Sequence, residues 1–267
     1  MSKYLLKDLD RFKGMMNGRR ISLFLDYDGT ITPIVARPEQ ATLTYQMKEV
    51  LKALAKAYPT AVVSGRQLAD VRRRIGIDGL VYVGNHGAEI WAEDFTMVFD
   101  AGGAFGAEIK RLSGELASIV RAHKGVILED KGHSITLHYR LLDTRRQRAF
   151  TERYEHTVKE SVDRGIVRLA RSKKAFEIRP SAEWNKGSAV TWLLDRKPFV
   201  GTFPVYIGDD ETDKDAFRAI AGRGISVYVG GEIEEADYYL LAQSEVKTVL
   251  KWLCKHPVPR STLFGNF

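Results

Sequence analysis

The sequence predicts an α/β protein: a parallel sheet with helices on both faces, interrupted by an inserted α+β unit. Three observations carry that expectation. Apolar runs of strand length alternate with helically spaced apolar residues through the first hundred positions. The rhythm then changes to α-β-β-α-β-β for about 75 residues. Afterwards the strand and helix alternation resumes, as a sheet split by an insertion requires.

Each element has its own signal. Residues 21–25 (ISLFL) form a continuous apolar run, the pattern of a strand covered on both faces. Met47, Val50, Leu51, Leu54 and Ala55 recur at helical spacing. A strand over 61–63, an amphipathic helix carrying Leu68, Val71 and Ile75, and a strand over 80–83 follow. Residues 89–91 and 97–99 read as a hairpin turning at Glu93-Asp94. The stretch Ala101-Gly102-Gly103-Ala104 reads as a linker. Beyond it lie a helix (Ile109, Leu112, Leu116, Ile119, Val120), strands over 126–128 and 134–139, a helix over about 144–162, and strands over 167–169 and 176–178. The final third alternates a helix at Val190–Leu194, a strand over 205–207, a helix at Ala216, Phe217 and Ile220, strands over 226–229 and 238–240, and a helix from Val246 to Cys254. The expected division is 1–103 with 181–267 as the larger domain and 104–180 as the insertion. The tail after His256 has no periodicity and reads as loose.

Composition narrows the function classes. At 267 residues, 44% hydrophobic and 28% charged, the chain can build a globular core. No apolar run approaches the roughly 18–20 residues that cross a bilayer, and the first residues lack a signal peptide's apolar stretch. A single cysteine, Cys254, excludes an internal disulfide and points to a reduced thiol in a cytoplasmic protein. The net charge of +7 raises a nucleic-acid role. However, the basic residues are scattered, the runs Arg72-Arg73-Arg74 and Arg145-Arg146 fall on helix faces, and no recognition motif accompanies them. A positive field would equally steer a small anion.

The chemistry concentrates at strand ends. Asp26-Tyr27-Asp28-Gly29-Thr30 directly follows the apolar strand, where open parallel sheets bind ligands. One carboxylate there can attack phosphorus and its neighbour can move the proton; the alternative is an acidic helix cap. Asp209-Asp210-Glu211-Thr212-Asp213 follows a second strand, and so dense a cluster calls for a hard cation such as Mg²⁺, although helix starts also favour acids. Ser64-Gly65-Arg66 offers a hydroxyl and backbone N–H groups at a third strand end, or an ordinary cap. Lys186 precedes a helix and could bring an ammonium to a phosphate, although a lone lysine is more often a surface residue.

The order acid pair, hydroxyl, lysine, acid cluster resembles the haloacid-dehalogenase (HAD) superfamily and, within it, the trehalose-6-phosphate phosphatase family. The finer likeness lies in Gly84-Asn85-His86-Gly87, Glu129-Asp130-Lys131-Gly132, His138-Tyr139-Arg140 and Phe176-Glu177-Ile178-Arg179-Pro180. Two positions depart from the pattern: Lys214, where an acid is expected, and Asn185, where Asp is usual. The resemblance implies a Rossmann-like core with a C2-type α+β cap that closes over the site and selects the substrate. It implies Mg²⁺-dependent hydrolysis of trehalose 6-phosphate through an aspartyl-phosphate, with functional pairing to a trehalose-phosphate synthase. Asp26 would be the nucleophile and Asp28 the general acid and base. Mg²⁺ would sit on the Asp26 carboxylate, the Asp28 carbonyl and Asp209. Ser64 would hold a phosphoryl oxygen, and Asp213 would support the metal's waters and orient Lys186. Arg66, Asn85, His86, Lys131, Arg140, Glu177 and Arg179 would bind substrate. The same catalytic set would serve a sucrose 6-phosphate or glycosyl-phosphoglycerate phosphatase.

Overall fold

Two sheets organise the computed structural model, which describes residues 2–99, 103–132, 134–172, 174–181 and 184–256. The chain forms two compact units, Met1–Val98 with Trp184–Phe267, and Phe99–Glu183.

In the larger unit the chain runs β1 (Lys3–Tyr4), α1 (Leu9–Met16), β2 (Ile21–Asp26), α2 (Tyr45–Ala57), β3 (Thr60–Val63), α3 (Leu68–Ile75), β4 (Leu80–Gly84), β5 (Glu89–Trp91) and β6 (Thr96–Val98). The smaller unit holds α4 (Gly103–Ala122), β7 (Ile127–Asp130), β8 (Ile135–His138), α5 (Thr144–Asp163), β9 (Val167–Ser172) and β10 (Ala175–Pro180). The larger unit then resumes with α6 (Lys186–Leu194), β11 (Phe203–Gly208), α7 (Asp213–Ile220), β12 (Ile225–Val229), β13 (Tyr238–Leu240) and α8 (Gln243–Lys255).

The larger sheet has the order β1-β13-β12-β11-β2-β3-β4-β5-β6, parallel up to β4 and antiparallel beyond it. Every residue of β2 and β11 is buried, so both strands are dominated by apolar residues on both faces. Alternate side chains enter different cores. Leu23, Leu25, Val205 and Ile207 pack with α2 and α8, while Phe24 and Tyr206 pack with α6 and α7. From β2 the chain moves first toward β3 and later toward β11, which makes the carboxyl ends of β2 and β11 a topological switch point.

The smaller sheet is antiparallel, in the order β7-β8-β10-β9. One face carries Leu137, Phe176 and Ile178 into a core with Leu112, Leu116, Phe150 and Tyr154 of α4 and α5. Tyr154 stacks on Phe176 with ring centroids 4.5 Å apart. The period-2 alternation puts polar residues on the opposite face, where Glu129, Thr136 and Glu177 form one cross-strand row and Arg168 pairs with Arg179 beyond it.

Several expectations are corrected. Gly103 and Ala104 begin α4 instead of a linker; Ala101 and Gly102, like the expected loose tail, lie outside the described residues. A Gly pair reads as punctuation in sequence, yet a helix tolerates a glycine in its first turn. The strand expected over 167–169 runs through Ser172, because its pairing with β10 extends beyond the apolar residues. Lys3–Tyr4 and α1 carried too short a pattern to be read, and β1 exists only through its pairing with β13.

Candidate active site

The first acidic motif sits where the fold needs it. β2 delivers Asp26 to the carboxyl edge of the sheet, and the chain turns at once through a hydrogen-bonded loop. Gly29 N–H donates to the Thr32 carbonyl at 2.8 Å, and Thr32 N–H to the Tyr27 carbonyl at 2.9 Å. Buried Tyr27 anchors this loop by donating to the Ala41 carbonyl at 3.0 Å. Gly29 has φ 87°, and a Cβ there would overlap the Asp209 carboxylate. The glycine is therefore required both by its conformation and by the approach of the second acidic motif.

That approach brings Asp26, Asp209 and Asp213 together, with one carboxylate oxygen from each within 4.8 Å of the others. Lys186, at the start of α6, enters from the side. Its Nζ lies 2.7 Å from Oδ1 of Asp26 and 2.7 Å from Oδ1 of Asp213, with all three side chains buried. Burial pushes the Asp26 carboxyl well above the usual carboxylate range; the Lys186 ammonium pulls it down, and the neighbouring Asp213 and Asp209 push it up again. For Lys186, burial works against the charge, but Asp213 and Asp26 outweigh it and hold the amine above its ordinary value.

Asp213 has every acceptor position filled. Oδ1 receives Lys186 and the Tyr206 hydroxyl, each at 2.7 Å, and Oδ2 receives the backbone N–H groups of Asp209 at 3.1 Å and Asp210 at 3.0 Å. A carboxylate offers about four such positions, so Asp213 is saturated as an organiser of the loop and the lysine. Burial, reinforced by the Asp213 and Asp26 charges, keeps the Tyr206 hydroxyl protonated well above its normal range. Oδ2 of Asp26 receives no hydrogen bond from a described residue.

The donor set fits a divalent cation. Asp26 and Asp209 bring carboxylate oxygens into one small volume beside Asp213, which is already engaged by Lys186, a crowding of oxygen donors that a cation would relieve. Oxygen donors of this hardness suit Mg²⁺.

The third strand end contributes a laced pair of loops. Ser64 Oγ accepts the Arg66 N–H at 3.1 Å. Asn85 N–H donates to the Arg66 carbonyl at 2.7 Å and His86 N–H to the Ser64 carbonyl at 3.0 Å. Asn85 and His86 adopt left-handed backbone (φ 47° and 56°), and the His86 ring occupies the space a Cβ on Gly65 would need. Glu89 braces the arrangement by accepting from Asn85 Nδ2 at 2.9 Å and from Leu68 N–H at 3.1 Å.

Arg66 has a partner that its expected substrate role did not foresee. It grips Asp28 through two parallel hydrogen bonds, Nε to Oδ2 at 2.7 Å and Nη2 to Oδ1 at 2.6 Å. Asp70 holds Arg66 in turn at 3.1 Å and also receives Arg73 and Arg74. Asp70, Glu89 and Tyr206 were missed from sequence because each acts on another side chain and none belongs to a motif. Asp70, four residues after Arg66, was the one with a local signal.

The two departures are accommodated. Asn185 caps α6, accepting Ser188 N–H at 3.0 Å, a task Asn performs as well as Asp. Lys214 pairs with Glu211 at 2.9 Å and Glu235 at 3.0 Å.

The remaining expected residues belong to the smaller unit. Glu177 and Arg179 are buried on its polar face and paired with each other, Nη2 to Oε2 at 2.6 Å. The Lys131 ammonium lies 4.0 Å from Glu129, whose Oε2 also meets His138 Nε2 at 3.0 Å. Arg140 is exposed in the turn after β8.

With this geometry in view, residues 24–236 match the model of the trehalose-phosphatase family, which thus includes both acidic strand ends, Lys186 and the whole smaller unit. The chain belongs to the trehalose-phosphatase family. It is similar to the probable trehalose-phosphate phosphatase D of Arabidopsis thaliana, 34% identical over 252 residues that cover 88% of this chain and 68% of the plant protein. It is also 36% identical over 241 residues to a Mycobacterium tuberculosis protein named an uncharacterized glycosyl hydrolase, covering 84% of this chain but 17% of that one. In fold it resembles the C-terminal domain of the trehalose-6-phosphate phosphatase of C. albicans, with TM-score 0.79, 22% identity, and 96% and 98% of the two chains covered. As a trehalose-phosphatase family member, the chain is a phosphoric monoester hydrolase of the HAD superfamily. Among the described residues no helix is long and apolar enough to cross a membrane.

Proposed function

We propose that this chain hydrolyses trehalose 6-phosphate to trehalose and inorganic phosphate through a phosphorylated Asp26. The observation that carries the reading is the Lys186 ammonium shared between Asp26 and Asp213 beside Asp209. An anionic nucleophile cannot approach a phosphate dianion unless positive charge is already in place.

The Asp26 carboxylate attacks phosphorus in line, and the bond from phosphorus to the sugar oxygen breaks. Asp28 gives that oxygen its proton, then takes one from the water that cleaves the acyl phosphate, which returns Asp26. Arg66 holds both Asp28 oxygens and so orients the carboxyl group, while each oxygen keeps a further position through which a proton can pass. Lys186 offsets charge on the phosphoryl group, and Ser64 binds one of its oxygens. The Asp26 carboxylate, the Asp28 carbonyl and Asp209 would hold Mg²⁺, which would supply the remaining charge neutralisation. Asp213 keeps Lys186 and the Asp209 loop in place. Asn85 and His86, braced beside Ser64, and Arg66 line the phosphate side of the substrate. Lys131, Arg140, Glu177 and Arg179 contact the sugar, since rejecting analogues that lack a hydroxyl takes polar partners. The division at 1–103 with 181–267 and at 104–180 separates these two tasks. The proposal includes a cytoplasmic location, supported by the unpaired thiol of Cys254, and a functional pairing with a trehalose-phosphate synthase that supplies the substrate.

The test is phosphate release from a panel of sugar phosphates, including sucrose 6-phosphate, with Mg²⁺ and with EDTA. Selective release from trehalose 6-phosphate that EDTA abolishes is expected. Equal release with and without EDTA would remove the metal from the reading, and a preference for sucrose 6-phosphate would change the substrate.

A further inference from the structure

β2 and β11 carry catalytic carboxylates at one end and, at the other, begin on the rim of a cavity. Phe203 and Ile21 are register partners at these starts, which places the cavity roughly 17 Å from Asp26 at about 3.3 Å per residue. The cavity has a volume of about 890 Å³ and is lined by Arg19, Arg20, Lys197, Pro198, Val200 and Phe203. None of these residues takes part in the site described above.

The lining combines two chemistries, cationic and apolar. Three cations surround it, and among the described residues none of the three forms an ion pair. Two of the three are also held in place. Arg20 donates from Nη2 to the Pro198 carbonyl at 2.8 Å and from Nη1 to the Val200 carbonyl at 3.3 Å. The Arg19 guanidinium lies 4.3 Å from the centre of the Phe203 ring. A cation already immobilised loses little further freedom when an anion arrives. Between these charges the surface is apolar, formed by Pro198, Phe203 and Val200, a residue that is 44% exposed.

We propose that this cavity binds a small amphipathic organic anion: a flat apolar body bearing a phosphate, sulfonate or carboxylate. Arg19 and Lys197 meet the anionic group, and Pro198, Val200 and Phe203 contact the body. A free inorganic ion would leave the apolar wall unused, and a sugar would place hydroxyls against it without partners. The volume falls within the roughly 300–1,000 Å³ of small-molecule sites.

Naphthalene-1-sulfonate is the probe, titrated calorimetrically into the full chain, with inorganic sulfate and 1-naphthalenemethanol as the charge-only and apolar-only controls. The sulfonate is expected to bind with Kd below about 1 mM, at least tenfold tighter than either control. Lys197→Ala and Val200→Asp should each weaken it at least fivefold, while phosphate release and Tm stay unchanged. Arg19→Ala should do the same; should it fail to fold for loss of the Phe203 contact, the other two variants decide. Affinity equal in variants and parent, no binding at millimolar probe, or sulfate as tight as the sulfonate would each overturn the proposal. A dimer that Val200→Asp converts to monomer would assign the face to a second copy of the chain and equally overturn it.

Discussion

The carboxylate cluster of the larger unit and the polar face of the smaller sheet both bury charge, but they satisfy it differently. At the strand ends, partners converge from far apart in sequence: Lys186 lies 160 residues from Asp26, and Asp213 joins a lysine, a tyrosine and two backbone amides. On the polar face, Glu177 and Arg179 are neighbours on one strand and pair with each other. Removing a member of the first set therefore loosens contacts between distant segments, whereas removing Glu177 or Arg179 first breaks a contact within one strand. Under the proposed function, the contrast would separate residues that act on any phosphate from residues that select which phosphate is bound.

The sharpest way to break this comparison is Asp26→Asn. Activity should fall at least about a thousandfold on every phosphate ester, with the chain still folded by circular dichroism, because relief of the Asp213 and Asp209 repulsion offsets part of the weakened Lys186 contact. Activity within tenfold of the parent would remove Asp26 as nucleophile. Asp213→Asn should lower both stability and activity. It leaves Lys186 and Tyr206 with a weakened buried partner, and losing one member of such a pair costs about 3 kcal/mol, readable as a lower urea midpoint. An unchanged midpoint would show that the network is not cooperative. Glu177→Ala should raise KM for the sugar phosphate about tenfold or more while leaving p-nitrophenyl phosphate within twofold. Equal effects on both substrates would erase the distinction between the two regions.

The smallest expected effect lies inside the smaller unit. Arg111 donates two hydrogen bonds to Glu108, the Ser161 hydroxyl donates another, and together they join α4 to α5. The Arg111 bonds, then the Ser161 bond, bring the Glu108 carboxyl down to about 2 from its ordinary 4.5. A depressed pKa adds stability that is complete above the unfolded value and disappears as pH falls from about 4.5 toward about 2. Glu108→Gln should thus be less stable than the parent by on the order of 1 kcal/mol at pH 6, with the gap narrowing below about pH 4.5 and closing toward about pH 2. A constant gap would assign the effect to packing.

Much of this was legible because it is local. A buried parallel strand needs a continuous apolar run, and a carboxylate site at its end needs acids directly after that run, so Asp26, Asp28 and the acids from Asp209 to Asp213 announced themselves. Arg66 was legible as a residue but not as a partner of Asp28, since a guanidinium reaches either a phosphate or a carboxylate and only the packing of the 64–66 loop against β2 selects one. Tyr206 is silent in sequence because a hydrogen bond to another side chain leaves no periodicity, and Asp70 shows only its spacing of four from Arg66. The helix start at Gly103 was misread because glycine pairs occur in both linkers and first turns.

By itself the chain's order of residues determined the alternation of strands and helices, the insertion, and which acids stand at strand ends, because those depend on spacing along the backbone and on which faces are apolar. The tertiary structure alone decided that Lys186 bridges Asp26 and Asp213, that Asp213 is saturated, and that Arg66 holds Asp28. Such contacts depend on distances between segments far apart in sequence, and only the folded sheet sets those.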